Sequence, residues 1–287
     1  MVYATHYPEV GSARFPSVLL LLVTLTQVPS TRAAEFVAPY VDTVKEDVEL
    51  ILALAQVSAE DYLIDLGSGD GRFVIGAAKR GAMAHGVELN PKLVKLASQR
   101  ALAAQVDDKV AFVQGDIFEA DISQASVVTL YLFPEANLKL RPKLLAELKP
   151  GTRVVSNSFT MGDWSPDKRA QGRTSGGALL WIIPANVSGE WQINMGASQF
   201  NMALEQQFQT VRAAPVTVDN LEGRLALDIT DLHLHGSSLR FLGKFAQETY
   251  VFSGQVEGDT IKGTAQVLAT NAKNVVSWRA HRQSAHR

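Results

Sequence analysis

The chain has 287 residues, 46% hydrophobic and 20% charged, a balance that supports a packed core and excludes a disordered chain. A net charge of −2 gives no general positive field for a phosphate backbone, so nucleic acid is not an expected partner. The absence of cysteine excludes disulfides, thiolate catalysis and cysteine-ligated zinc.

At the N-terminus, Arg14 precedes an uncharged run with an apolar centre from Val18 to Leu25, followed by Thr31-Arg32-Ala33-Ala34, which offers small residues for cleavage after Ala33. That is the layout of a secretory signal peptide. The run is at the short limit of what spans a bilayer, about 17 residues, so residues 1–34 are expected to be a signal peptide or, as second choice, a membrane anchor.

From Val44 to Ala55 the apolar positions Val44, Val48, Ile51, Leu52 and Leu54 follow helical spacing. Tyr62 to Leu66 reads as a strand, Gly67 to Gly71 as a turn, and Arg72 to Arg80 as a helix stopped by Gly81. Ala84 to Glu88 is a second strand, and Asn90-Pro91 starts a third helix as N-cap and first-turn proline. Strands are expected at Lys109 to Gln114, Ala125 to Leu132 and Arg153 to Ser156, with a helix from Glu135 to Leu148. This alternation predicts a parallel, doubly wound α/β sheet. Asp163 to Gly177, rich in Gly, Ser, Asp and Arg, reads as a loop before a strand from Ala178 to Ile183.

After residue 186 the period changes to two: Trp191 and Ile193; Phe208 and Val211; Leu225, Leu227 and Ile229; Tyr250 and Phe252; Val275 and Trp278. Gly189, Gly223, Gly236, Gly254, Gly258 and Gly263 read as turns between strands. Residues 35–185 are therefore expected to form the α/β domain and residues 186–287 a small antiparallel β domain, meander or barrel. His233 and His235 share one face of a strand, with no third ligand evident, so no metal site is expected.

The segment Asp65-Leu66-Gly67-Ser68-Gly69-Asp70-Gly71-Arg72 carries the chemistry. Alternate glycines allow a sharp turn and close approach of a ligand to backbone, and the turn ends at a helix N-terminus. The dinucleotide spacing G-x-G-x-x-G fails, because counting from Gly67 its last position is Arg72. Glu88, 23 positions after Asp65, stands where an acid can accept from ribose hydroxyls, and Asp116 ends the third strand.

The G-x-G-x-G turn with its leading acid resembles motif I of the seven-strand, class I, S-adenosylmethionine-dependent methyltransferases. Together with Gly86-Val87-Glu88-Leu89-Asn90-Pro91 and Leu132-Phe133-Pro134-Glu135, it is similar to the mitochondrial protein-lysine methyltransferases and their bacterial relatives, over about Pro39 to Ser158. The resemblance implies S-adenosyl-L-methionine as cofactor, held by Asp65, Gly67, Gly69, Gly71, Glu88 and Asp116, the last at the adenine amino group. It also implies that Tyr40 and Thr43 line the methionine end, although Asp42 replaces the family's proline in Tyr40-Val41-Asp42-Thr43.

The implied acceptor is a protein lysine, whose ammonium must first lose a proton, a step favoured by an apolar aromatic channel. Tyr131, Phe133, Phe159 and Trp164 are candidates for that channel, and Asn157 and Asp163 for orienting the acceptor; no general base is identified. Two alternatives stand beside this one: a small-molecule methyltransferase, and an exported binding protein that keeps the fold without turnover. The role of the β domain is left open.

Overall fold

The computed structural model describes residues 44–173, 177–220, 223–245, 248–268 and 275–283; the expected export segment and the cofactor candidates Tyr40 and Thr43 lie outside them. Among the described residues, no helix is long and apolar enough to cross a membrane.

Helix α1 (Lys45–Leu54) leads into β1 (Tyr62–Leu66), α2 (Arg72–Lys79), β2 (Met83–Glu88), α3 (Pro91–Ala103), β3 (Val110–Gln114), β4 (Val127–Leu130), α4 (Pro134–Glu147) and β5 (Arg153–Asn157). Asn90 caps α3 by accepting from the Lys92 amide at 3.0 Å, with Pro91 in the first turn. Two further strands, β6 (Lys168–Ala170) and β7 (Ala178–Ile182), complete a seven-stranded sheet of order β3-β2-β1-β4-β5-β7-β6.

Strands β1 to β5 pair in parallel, whereas β7 is antiparallel to both β5 and β6. The order reverses between β1 and β4, which opens a crevice at the carboxyl ends of these strands, where doubly wound folds bind their ligands. Side-chain alternation gives the sheet two faces. Leu63, Val127, Val155 and Leu180 pack with α1 and α2, whereas Ile64, Val128, Val154 and Trp181 pack with α4.

The expected loop from 163 to 177 contains β6. It escapes a periodicity reading because Lys168-Arg169-Ala170 is short, polar and at the sheet edge. Since β6 runs with β5, the chain must cross from one end of the sheet to the other between them, a path normally taken by a helix. Residues 158–167 make the crossing without one. Trp164 on that path is fully buried and packs on Trp181 at 6.0 Å between ring centroids, while its backbone carbonyl accepts from the Trp181 indole at 2.9 Å.

The second sheet is antiparallel: β8 (Gly189–Met195), β9 (Ser198–Gln207), β10 (Thr210–Ala213), β11 (Val216–Asn220), β12 (Gly223–His235), β13 (Ser238–Phe245), β14 (Glu248–Glu257), β15 (Thr260–Val267) and β16 (Val275–Arg282). Each strand from β11 to β16 pairs with the next, and β16 pairs with β8, β8 with β9, and β9 with both β10 and β11. The ring therefore closes as an eight-sided up-and-down barrel in which β10 and β11 share one side.

Its interior is filled. Phe241 stacks on Phe252 at 4.5 Å, and Trp278 packs edgewise on both, alongside the fully buried Trp191. Gly254 and Gly263, expected as turns, lie instead opposite each other within β14 and β15. A Cβ on either would come within 2.7 Å of the Trp278 ring, so their missing side chains make room for the indole. Phe208, expected on a strand, sits instead in the β9–β10 turn with φ +54°. His233 and His235 are exposed on β12, where His233 Nε2 lies 3.1 Å from Asp231.

Candidate active site

Asp65 is the first residue positioned by the sheet. Its neighbours across the ladder are Thr129 on β4 and Gly86 on β2, and its side chain shares a face with Leu63. Thr129, fully buried, donates its hydroxyl to Asp65 Oδ1 at 2.7 Å. Among the described residues, nothing donates to Asp65 Oδ2. Burial, with a contribution from the charge of Glu88 and opposed by the Thr129 hydrogen bond, pushes the Asp65 carboxyl up to about 7.

The turn after β1 uses left-handed backbone at Gly67, Gly69 and Gly71, with φ of +84°, +52° and +85°. The amides of Gly67 and Ser68 both donate to the Val87 carbonyl, at 2.9 and 3.0 Å, which fixes the turn to β2. A Cβ on Gly71 would meet the Phe112 ring at 2.7 Å, so helix α2 can start this close to α3 and β3 only with glycine there. Asp70, in the same turn, is spent on structure: its buried carboxylate accepts from Arg72 Nε at 2.9 Å and pairs with Arg100 on α3.

Glu88 ends β2 beside this turn. Its Oε2 accepts from the Gly69 amide and its Oε1 from the Asn90 amide, both at 2.9 Å. Each carboxylate oxygen keeps a second lone pair, so the pinned group can still accept from two hydroxyls of a ligand. Asp116 lies two residues beyond β3, half-buried, with Oδ1 accepting from the Phe118 amide at 2.9 Å. The glycine turn, Asp65 and Glu88 thus meet at the crevice between β1 and β4, with Asp116 at its β3 side.

S-adenosylmethionine fits these residues. An orphaned, buried carboxylate oxygen at Asp65 calls for a cationic donor such as the cofactor's α-ammonium, and Glu88 for a diol such as its ribose. Positive-φ glycines leave room for the ligand against backbone.

Residues 65–168 match the model of the ANTKMT methyltransferase domain. A protein-lysine N-methyltransferase of Saccharolobus islandicus is 45% identical over 150 residues, 50% of this chain and 93% of that enzyme. The chain belongs to this family of S-adenosylmethionine-dependent methyltransferases. The adenine nucleotide translocase lysine N-methyltransferase of Mus musculus is 38% identical over 129 residues, 45% of this chain, and here the match spans only 56% of the relative. A solved structure described as an RNA methyltransferase from Salinibacter ruber, in complex with S-adenosyl-L-homocysteine, is 51% identical, with 51% of this chain and 96% of that one covered and a TM-score of 0.50.

The residues expected to line the methyltransferase's acceptor channel separate. Tyr131 and Phe159 stack at 6.3 Å, and Phe133 meets Phe159 edge-on at 5.8 Å while remaining 39% exposed. These three form an aromatic wall beyond the ends of β4 and β5. Asn157 ends β5, buried, and accepts from the Ser158 hydroxyl at 3.2 Å. Trp164 does not join the wall, because the chain has by then passed onto the α4 face of the sheet and its ring is core. Asp163 is also removed from the acceptor role: it is largely exposed and paired with Arg141 at 2.5 Å, which holds its carboxyl below the usual range.

Sequence reasoning missed two residues. Thr129 is the one polar side chain in the buried run Val127-Val128-Thr129-Leu130, and that break in apolarity was its only signal. Asn137 on α4 is fully buried, with Nδ2 donating to the Ser156 hydroxyl and to the carbonyls of Phe159 and Thr160 at 3.3 to 3.4 Å. A polar residue on the inner side of an amphipathic helix was the available sign.

Proposed function

We propose that this methyltransferase acts on lysine side chains of proteins. The observation that carries the reading is the aromatic wall of Tyr131, Phe133 and Phe159 next to the cofactor crevice. The cofactor supplies a methyl group on a sulfonium, which the acceptor takes by in-line displacement. The chain's own residues bind and align: Asp65 and Glu88 fix the donor, and the wall guides a slender, apolar-stemmed amine while excluding water. The same apolar surroundings disfavour the ammonium form, so the amine arrives with its lone pair available.

Two further facts support the lysine reading. The Saccharolobus islandicus and Mus musculus relatives are both described as lysine N-methyltransferases. An RNA acceptor, suggested by the description of the Salinibacter ruber structure, would require a cationic face that a net charge of −2 does not favour. Residues 1–34, as an export segment or membrane anchor, belong to the same proposal, and sequencing the mature N-terminus tests it.

The deciding experiment incubates the protein with methyl-labelled S-adenosylmethionine and separated protein, RNA and small-molecule fractions of a cell extract, with Glu88→Ala as control. Label on lysine, identified by mass spectrometry and lost with Glu88→Ala, is expected. Label confined to RNA or small molecules would overturn the reading.

A further inference from the structure

The tip of the β9–β10 hairpin belongs to the wrong core. Phe208, although part of the barrel chain, packs into the cluster formed by α4 and the first sheet, and not into the barrel interior. Its ring stacks on Trp164 at 5.4 Å with 15° between planes, and the Arg141 guanidinium lies 5.2 Å from its centroid. Gln209 holds the same tryptophan from the side: its Oε1 accepts from Trp164 Nε1 at 2.8 Å, and its Nε2 donates to the Ser165 carbonyl at 2.9 Å. Gln207 reaches Asp163 at 3.5 Å. Phe208 does this from left-handed backbone, a conformation that is strained for an aromatic residue and persists only where its surroundings hold it.

What the hairpin grips is the helix-free crossing between β5 and β6. That segment carries Phe159, one ring of the aromatic wall, near its start, and its carbonyls at Phe159, Thr160 and Met161 are held by Asn137 and Arg141 of α4. Within this irregular loop the described backbone pairing is a single isolated bridge between Met161 and Trp164, little to keep it in place. We propose that the β9–β10 hairpin is a positioning element for methyl transfer, in which Phe208 and Gln209 clamp residues 161–165 so that Phe159 stays against Tyr131 and Phe133. The barrel would then act on the acceptor side without touching acceptor or cofactor. This inference rests on the reading of the aromatic wall as the acceptor channel.

The test compares the full chain with Phe208→Asn/Gln209→Ala, since asparagine tolerates left-handed backbone and so keeps the turn. Hydrogen exchange across 158–165 is expected to accelerate about tenfold with the glycine turn at 67–71 unchanged, while methyl transfer to the extract protein fraction at low acceptor falls about fivefold and cofactor Kd stays within about twofold. Phe208→Tyr, which keeps the ring, should restore transfer. Unchanged exchange at 158–165, a parallel rise at 67–71, or faster exchange with undiminished transfer would each overturn the clamp. If the double variant does not fold, Gln209→Ala alone carries the same readouts. A wild-type chain that labels no lysine would sink the proposed function instead, while the exchange data would still report on the clamp.

Discussion

Cofactor affinity should depend on pH through Asp65. Its carboxyl titrates at about 7 because it is buried, with one oxygen satisfied by Thr129 and the other left for a cation. Binding a cationic group there requires the charged carboxylate, so a proton must be released below that value. Going from about pH 7.5 to about pH 6, the charged fraction of Asp65 drops from roughly three-quarters to about a tenth. The cofactor's own α-amino group, with an ordinary pKa of about 7.8, opposes this slightly by becoming fully cationic. The net expectation is about sixfold weaker binding at the lower pH, just over ~1 kcal/mol. Isothermal titration with S-adenosylmethionine at several pH values measures it, and Asp65→Asn should give weak binding with the pH slope reversed or lost. A wild-type affinity that stays constant across that range would refute the assignment of Asp65 Oδ2. The same raised value makes the ligand-free protein lose stability as pH climbs from about 4 to about 7, since the folded carboxyl retains a proton that the unfolded chain has released.

Thr129→Val removes the donor to Asp65 Oδ1 and should move the midpoint of that binding profile upward, with little change in packing; an unmoved midpoint would count against the role of the hydroxyl. Glu88→Gln keeps the shape but loses the anionic acceptor shared by the Gly69 and Asn90 amides, so cofactor Kd should rise by about ten-fold or more in the same titration. Gly71→Ala places a methyl 2.7 Å from Phe112 at φ +85° and should lower stability by about 2 kcal/mol or more, read by denaturant unfolding. Phe133→Ala should raise the acceptor KM several-fold, on the order of 1 kcal/mol, with cofactor Kd unchanged, as measured by steady-state transfer.

Much of the α/β domain was legible because its central strands are buried on both faces and therefore read as largely apolar runs, as in Val127 to Leu130, and because Asn90-Pro91 marks a helix start without tertiary help. Gly67, Gly69 and Gly71 were legible because the tight turn fixes residue type by local backbone geometry, and Glu88 because it ends the next strand. What sequence could not convey were obligations set by distant partners. Gly254 and Gly263 carry an ordinary turn signal, yet they serve the Trp278 ring. Phe208 has the apolarity of a strand residue because another domain's core needs its ring. Trp164 follows β5 closely enough to suggest the acceptor channel, but the missing crossover helix carries it elsewhere. Barrel closure depends on the pairing of β8 with β16, whose residues Trp191 and Arg282 are far apart along the chain, a contact that no local pattern announces.

That last pairing also places the first and last strands of the barrel side by side, with the Gln283 amide donating to the Glu190 carbonyl at 2.8 Å. A module whose two ends emerge at one seam can be gained or lost at a single point in a host gene without rethreading either partner. Among the described residues, the pairing of β8 with β16 also removes the free edges that those two strands would otherwise offer to a neighbouring polypeptide.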